Sequence, residues 1–193
     1  MKHPLVFLIG MHGVGKSTVG SVLTGHGFRH ISLGDLGRLV RHKRVPRGYS
    51  LRFLRRLAAH IPGERMSAVL IETLLAEIGQ INRHGPVVVD GYPAEPEQVL
   101  GLPAGSTVIH LVCSDSERVA RLTQRSEQSK RKWTPGRESS RDRALAAVAR
   151  IAHDNERLNT HVIASEGDPV QVAAKVMAVS LARKLPSNPL PQI

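Results

Sequence analysis

Apolar residues in this chain fall into short continuous runs separated by longer stretches of helical period. Leu5, Val6, Phe7, Leu8 and Ile9 form the first run, and Val87, Val88 and Val89 form a second, closed by Asp90. Residues 107–112 and 161–164 are similar. Continuous apolar runs of this length are what strands look like when helices cover both faces of a parallel sheet. Between residues 66 and 78, Met66, Leu70, Leu74 and Ile78 recur every fourth position with Val69 beside them, which predicts an amphipathic helix. Further helices are predicted over 17–25, 115–126, 140–157 and 169–184. Residues 31–38 read as a short strand end leading into a helix capped by Asp35. Residues 41–49, with Pro46 and Gly48, read as a mobile connector. Strands alternating with helices predict a doubly wound α/β domain with a three-layer core. Ligands of such sheets gather at the carboxyl ends of the strands.

The first run ends in Gly10-Met11-His12-Gly13-Val14-Gly15-Lys16-Ser17-Thr18, and a helix follows at once. Strand, glycine-rich turn and helix N-terminus with the spacing GxxxxGK[ST] make a P-loop. Gly10, Gly13 and Gly15 permit backbone conformations that a side chain forbids, so successive N–H groups can converge on phosphate oxygens. The helix N-terminus adds partial positive charge. Lys16 can reach the β- and γ-phosphates, and the Ser17 hydroxyl can ligate Mg²⁺. Val14 and Thr18 complete the cradle. A nucleoside triphosphate is the expected ligand. Asp90, at the end of another buried run, stands where a second Mg²⁺-organising carboxylate belongs, although Asp90-Gly91 also has the form of an ordinary strand-end turn.

Composition narrows the class. The 193 residues fit one domain, and no apolar run is long enough to span a membrane. The start of the chain reads as a buried strand rather than a signal peptide. A single cysteine, Cys113, closes the fourth-strand run and reads as a packed core residue. No disulfide can form within the chain, and a cytoplasmic location is expected. Ten histidines are scattered without ligand spacing. The formal net charge is +11, with basic stretches at residues 38–56 and 121–143. Arginines around a polyphosphate and contact with nucleic acid both account for such a balance. Aromatic residues make up only 3%, a poor supply for stacking bases, so small anionic substrates are preferred over nucleic acid. A monomer without membrane contact is expected.

Three further segments carry a resemblance. Asp90-Gly91-Tyr92-Pro93-Ala94-Glu95-Pro96-Glu97-Gln98 resembles the DGFPR…Q segment of adenylate kinases and related nucleoside monophosphate kinases. Ser32-Leu33-Gly34-Asp35-Leu36-Gly37-Arg38 is similar to that family's STGDxxR, and Arg121 and Arg125 have the spacing of its RxxxR. With the P-loop, the resemblance spans roughly residues 5–180. It implies an ATP- and Mg²⁺-dependent kinase in which Lys16 holds the transferred phosphoryl group. Ser17 ligates Mg²⁺, and Asp90 orients the ion through water. Ser32, Arg38, Gly91 and Gln98 would form the acceptor subsite, with Arg38 on its phosphate and Gln98 facing its base. Arg121 would lie beside the donor adenine, Arg125 at the phosphates, and Gly167 under the donor base. Arg137 or Arg141, and Arg150, resemble the arginines that flank and follow the family's lid. The implied organisation is a single domain over 1–185, with an acceptor-binding insert at about 32–82, a lid at about 126–140, and a disordered tail at 186–193.

The chain also departs from that pattern. Ala94 stands where the family has arginine, removing a bidentate grip on the acceptor phosphate. His12 replaces a usual proline, and Ser17-Thr18 replaces Gly-Thr. The expected reaction is phosphoryl transfer to a nucleoside monophosphate. A P-loop kinase acting on a nucleic-acid 5′-hydroxyl or a small metabolite stays open, as does a nucleotide-binding regulatory protein with weak catalysis.

Overall fold

The computed structural model of the chain describes residues 3–128 and 140–182. Arg137, most of the expected lid and the 186–193 tail lie outside the described residues. Five strands, β1 (Leu5–Ile9), β2 (Arg29–Ser32), β3 (Val87–Asp90), β4 (Thr107–Val112) and β5 (Asn159–Ala164), form one sheet in the order β2-β3-β1-β4-β5. Every pairing is parallel, with Leu8 opposite Asp90 on one side and Ile9 opposite His110 on the other. The α/β expectation therefore holds.

The continuous apolar runs are explained by helices on both faces. Phe7, Ile9, Ile31, Val87, Val89 and Val108 point into one core. That core is closed by α2 (Leu33–Arg41), α3 (Leu51–Ala59), α4 (Ala68–Asn82), the short α5 (Pro96–Leu100) and α7 (Ser140–Asp154). Val6, Leu8, Val88, Ile109 and Leu111 point the other way, against α1 (Lys16–Thr24) and α8 (Pro169–Leu181). Alternate residues of β1, β3 and β4 thus feed separate cores. Burying each large side chain contributes about 1.5–3 kcal/mol. The remaining helix, α6 (Asp115–Gln128), follows β4. Since β1 lies between β3 and β4, the chain crosses over it, and the crevice at the carboxyl ends of β1, β3 and β4 is the switch point where ligands bind.

Three local expectations change. Ser32, not Asp35, caps α2: its extended backbone lets its hydroxyl accept from Asp35 N at 3.4 Å, while Asp35 lies inside the first turn and pairs with Arg38. The 41–49 connector is braced. Arg29 donates to the Arg47 carbonyl at 2.9 Å and stacks 5.2 Å from the Tyr49 ring centroid. Helix α3, absent from the expectation, buries Phe53, Leu54 and Leu57 and is capped by Ser50, which Glu77 of α4 holds. In α4, Leu70, Leu74 and Ile78 are buried as the spacing predicts, but Val69 is exposed.

Candidate active site

The P-loop owes its shape to β4 and α6. Gly10, Gly13 and Gly15 have φ of 145°, 90° and 90°. A side chain at Gly10 would also meet the Leu111 carbonyl oxygen at 2.5 Å, so the loop runs against the β4 backbone where only glycine fits. Gly15 caps α1 without a side-chain hydrogen bond, which leaves the first-turn N–H groups available to an anion. Lys16 bends back and donates to the carbonyls of Gly10 and Met11, the latter at 2.8 Å. Beneath it, His110 is pushed below the ordinary histidine value by burial and, secondarily, by the Lys16 charge. A neutral His110 leaves Lys16 as the cation under the loop.

Asp90 ends β3 with both carboxylate oxygens held. Oδ2 contacts Nε2 of His30 at 2.7 Å, and Oδ1 accepts from the Ser32 hydroxyl at 3.3 Å. His30, on β2, packs directly over Gly20 of α1, where an added Cβ would fall 2.4 Å from Nε2. Arg121 donates to Glu117 and to the Ser165 carbonyl, each at 2.8 Å, and is thereby fixed between α6 and the end of β5.

These groups surround one cavity of about 590 Å³. Gly10 and residues 12–18 of the P-loop form one wall. Ser32, Gly34 and Arg38 come from the start of α2, and Asp90, Gly91 and Ala94 from the end of β3. Arg121, Arg125 and Glu117 come from α6, Asp142 from α7, and Gly167, with φ of 86°, from the turn after β5. Among the described residues, four cations (Lys16, Arg38, Arg121, Arg125) and three carboxylates (Asp90, Glu117, Asp142) line it. The residues fit a magnesium nucleotide. Tight backbone turns and an open helix N-terminus suit phosphates, and the Ser17 hydroxyl and Asp90 carboxylate are hard oxygen donors suited to Mg²⁺.

Two expected residues do not join this group. Gln98 is buried outside the lining, where its Oε1 accepts from Ala94 N at 2.8 Å and its Nε2 donates to Glu95 at 3.4 Å. Its side chain shapes the turn behind Asp90, Gly91 and Ala94 and is absent from the cavity lining. Arg150 is exposed on α7, on the side away from the inward-facing Leu145 and Val148. Cys113 is half-buried against the second core.

Sequence reading missed His30 and Asp142. The Asp142 carboxylate accepts from the His12 backbone N–H and contacts its Nδ1, both at 2.9 Å, joining α7 to the P-loop across 130 positions. No local pattern marks such a pair. For His30 a signal existed: it lies two residues before Ser32 on a strand whose register brings Ser32 opposite Asp90. Among the described residues no group of three or more metal-ligating side chains occurs, and no helix is long and apolar enough to cross a membrane.

Fold and cavity together define a P-loop α/β domain. A family model described as an AAA domain matches residues 6–146, and the chain belongs to that family. The crystal structure of a gluconokinase from Sinorhizobium meliloti 1021 superposes with a TM-score of 0.50 at 17% identity, covering 92% of this chain and 91% of that one. At that identity the likeness concerns the fold. Among curated proteins no sequence match is found. These comparisons show the AAA-domain family and the α/β fold, and they do not single out the adenylate kinases.

Proposed function

We propose that this chain is an ATP- and Mg²⁺-dependent phosphotransferase of the nucleoside monophosphate kinase type. The observation that carries the reading is the convergence of the P-loop, Asp90, Arg38, Arg121 and Arg125 on one cavity. Phosphoryl transfer is mainly positioning and neutralisation of charge, so guanidinium groups around a carboxylate-held cation are what it requires. When bound, MgATP supplies the phosphoryl group and the activating cation. Lys16 and the P-loop N–H groups bind the phosphates, Ser17 and Asp90 hold the ion, and Arg121 and Arg125 steady the donor.

With Ala94 in the wall and Arg38 paired to Asp35, one guanidinium serves the acceptor end. That observation favours, as second reading, a hydroxylated small metabolite that brings no phosphate. The gluconokinase makes gluconate one candidate, on fold likeness alone. ADP formation in the presence of nucleoside monophosphates, nucleosides, gluconate and 5′-hydroxyl oligonucleotides tests the proposal. Stimulation by a nucleoside monophosphate is expected. Stimulation by a hydroxylated metabolite alone would transfer the assignment to the second reading. ATP binding with no stimulation by any acceptor would leave a nucleotide-dependent regulatory protein.

A further inference from the structure

The cavity leaves the longest basic stretch of the chain unexplained. No acidic residue occurs between Asp35 and Glu64, and residues 38–56 carry eight arginines and lysines. Arg41, Lys43, Arg44 and Arg47 are exposed on the end of α2 and the connector after it. Arg52 and Arg55 are exposed on the outer side of α3. No ion pair among the described residues engages these six side chains. The surface is also built rather than loose. Gly48, with φ of 82°, brings the connector against Arg29, whose guanidinium is bonded to the Arg47 carbonyl and stacked on Tyr49.

Concentrated, unneutralised positive charge on a braced surface costs self-repulsion unless a polyanion uses it. We propose that the α2–α3 face docks the phosphodiester backbone of a nucleic acid strand. Five of the six exposed cations are arginine, whose planar fork matches phosphate oxygens two at a time. The apolar side of α3, Phe53, Leu54 and Leu57, is buried in the core. The exposed apolar residues there, Val45 and Leu51, stand singly beside arginines, so the face offers no continuous apolar stripe for entering a bilayer. Its one aromatic neighbour, Tyr49, is held by Arg29, so recognition rests on phosphates rather than on stacked bases. Binding is then steep in salt and insensitive to sequence. The inference is independent of phosphoryl transfer, because it is read without nucleotide.

The test is fluorescence anisotropy of the full chain with a labelled single-stranded RNA of about 16 nucleotides, titrated at several salt concentrations. A patch variant, Arg44→Ser, Arg52→Ser and Arg55→Ser, is compared with a charge-matched control, Arg83→Ser, Arg157→Ser and Lys175→Ser. All six side chains are exposed, and circular dichroism verifies that both variants are folded. The patch variant should lose affinity about thirtyfold, at a few-fold for each exposed ionic contact. Its slope of log affinity against log salt should fall by about 2, from three lost phosphate contacts. The control should stay within about threefold of the native chain. Equal losses in both variants would reduce the effect to net charge and overturn the proposal. So would absence of RNA binding by the native chain, or binding to phosphatidylserine vesicles in its place.

Discussion

The two ends of the cavity are built differently. At the end proposed for the donor, three groups are fixed by a second element. Gly10 lies against the β4 backbone, Arg121 is tied to Glu117 and Ser165, and Asp90 is held by His30 and Ser32. At the end proposed for the acceptor, Arg38 pairs within its own helix, Ala94 offers only a methyl group, and Gln98 turns into the structure behind. Pre-organised groups lower the cost of binding a charged transition state, and that organisation is concentrated on the donor. Under the proposed function, the fixed half would serve the reaction and the looser half would set the substrate.

The strongest way to break this contrast is Lys16→Ala. Removing the cation nearest the transferred group should lower turnover about a hundred- to a thousandfold while the melting temperature is kept. An unchanged turnover number in the folded variant would take the P-loop out of the reaction. Arg121→Ala should cost about 1.5–3 kcal/mol of transition-state binding, one to two decades in kcat/KM for ATP. Steady-state kinetics with ATP varied would detect it, and an effect confined to the acceptor's KM would contradict the donor assignment.

Ala94→Arg sharpens the contrast from the other side. It restores a guanidinium to the acceptor wall without disturbing the Ala94 backbone bond to Gln98. The KM for AMP should fall about tenfold, the worth of one charge-assisted bond, with the KM for ATP unchanged. No gain in the folded variant would favour the non-nucleotide acceptor.

Gly20→Ala probes the support beneath Asp90. Alanine normally strengthens a helix, yet here the new Cβ would lie 2.4–2.7 Å from the His30 ring. Overpacking of about 1–3 kcal/mol should lower the melting temperature by several degrees and weaken Mg²⁺ dependence. In a His30→Ala background the same substitution should be tolerated, because the clash is gone. Equal penalties in both backgrounds would show that His30 is not the obstacle.

The smallest effect belongs to His110. Its folded value is depressed, so below about 6.5 the unfolded chain binds more protons and stability falls with pH. His110→Gln should flatten part of that acid limb in denaturant titrations from pH 5 to 7.5, and an unchanged limb would assign it to other groups.

What could be read from the sequence divides along the same line as the cavity. Strands buried on both faces are continuous apolar runs, so β1, β3 and β4 were visible, and the P-loop is a local constraint of backbone and charge. Helix α3 was not visible, since four large apolar residues among three arginines in nine positions give a short, basic-looking period. The Asp142 contact to His12 was invisible for another reason: it depends on where α7 packs, which no spacing encodes. The inward orientation expected of Gln98 failed because a motif marks a position, while the neighbouring turn decides where an amide points.

The most direct measurement follows a radioactive γ-phosphate from ATP through incubation with the chain, Mg²⁺ and a panel of acceptors led by AMP. The account predicts label appearing in the acceptor in step with ADP, and its loss in Lys16→Ala. Label released only as inorganic phosphate, at a rate indifferent to any acceptor, would contradict it.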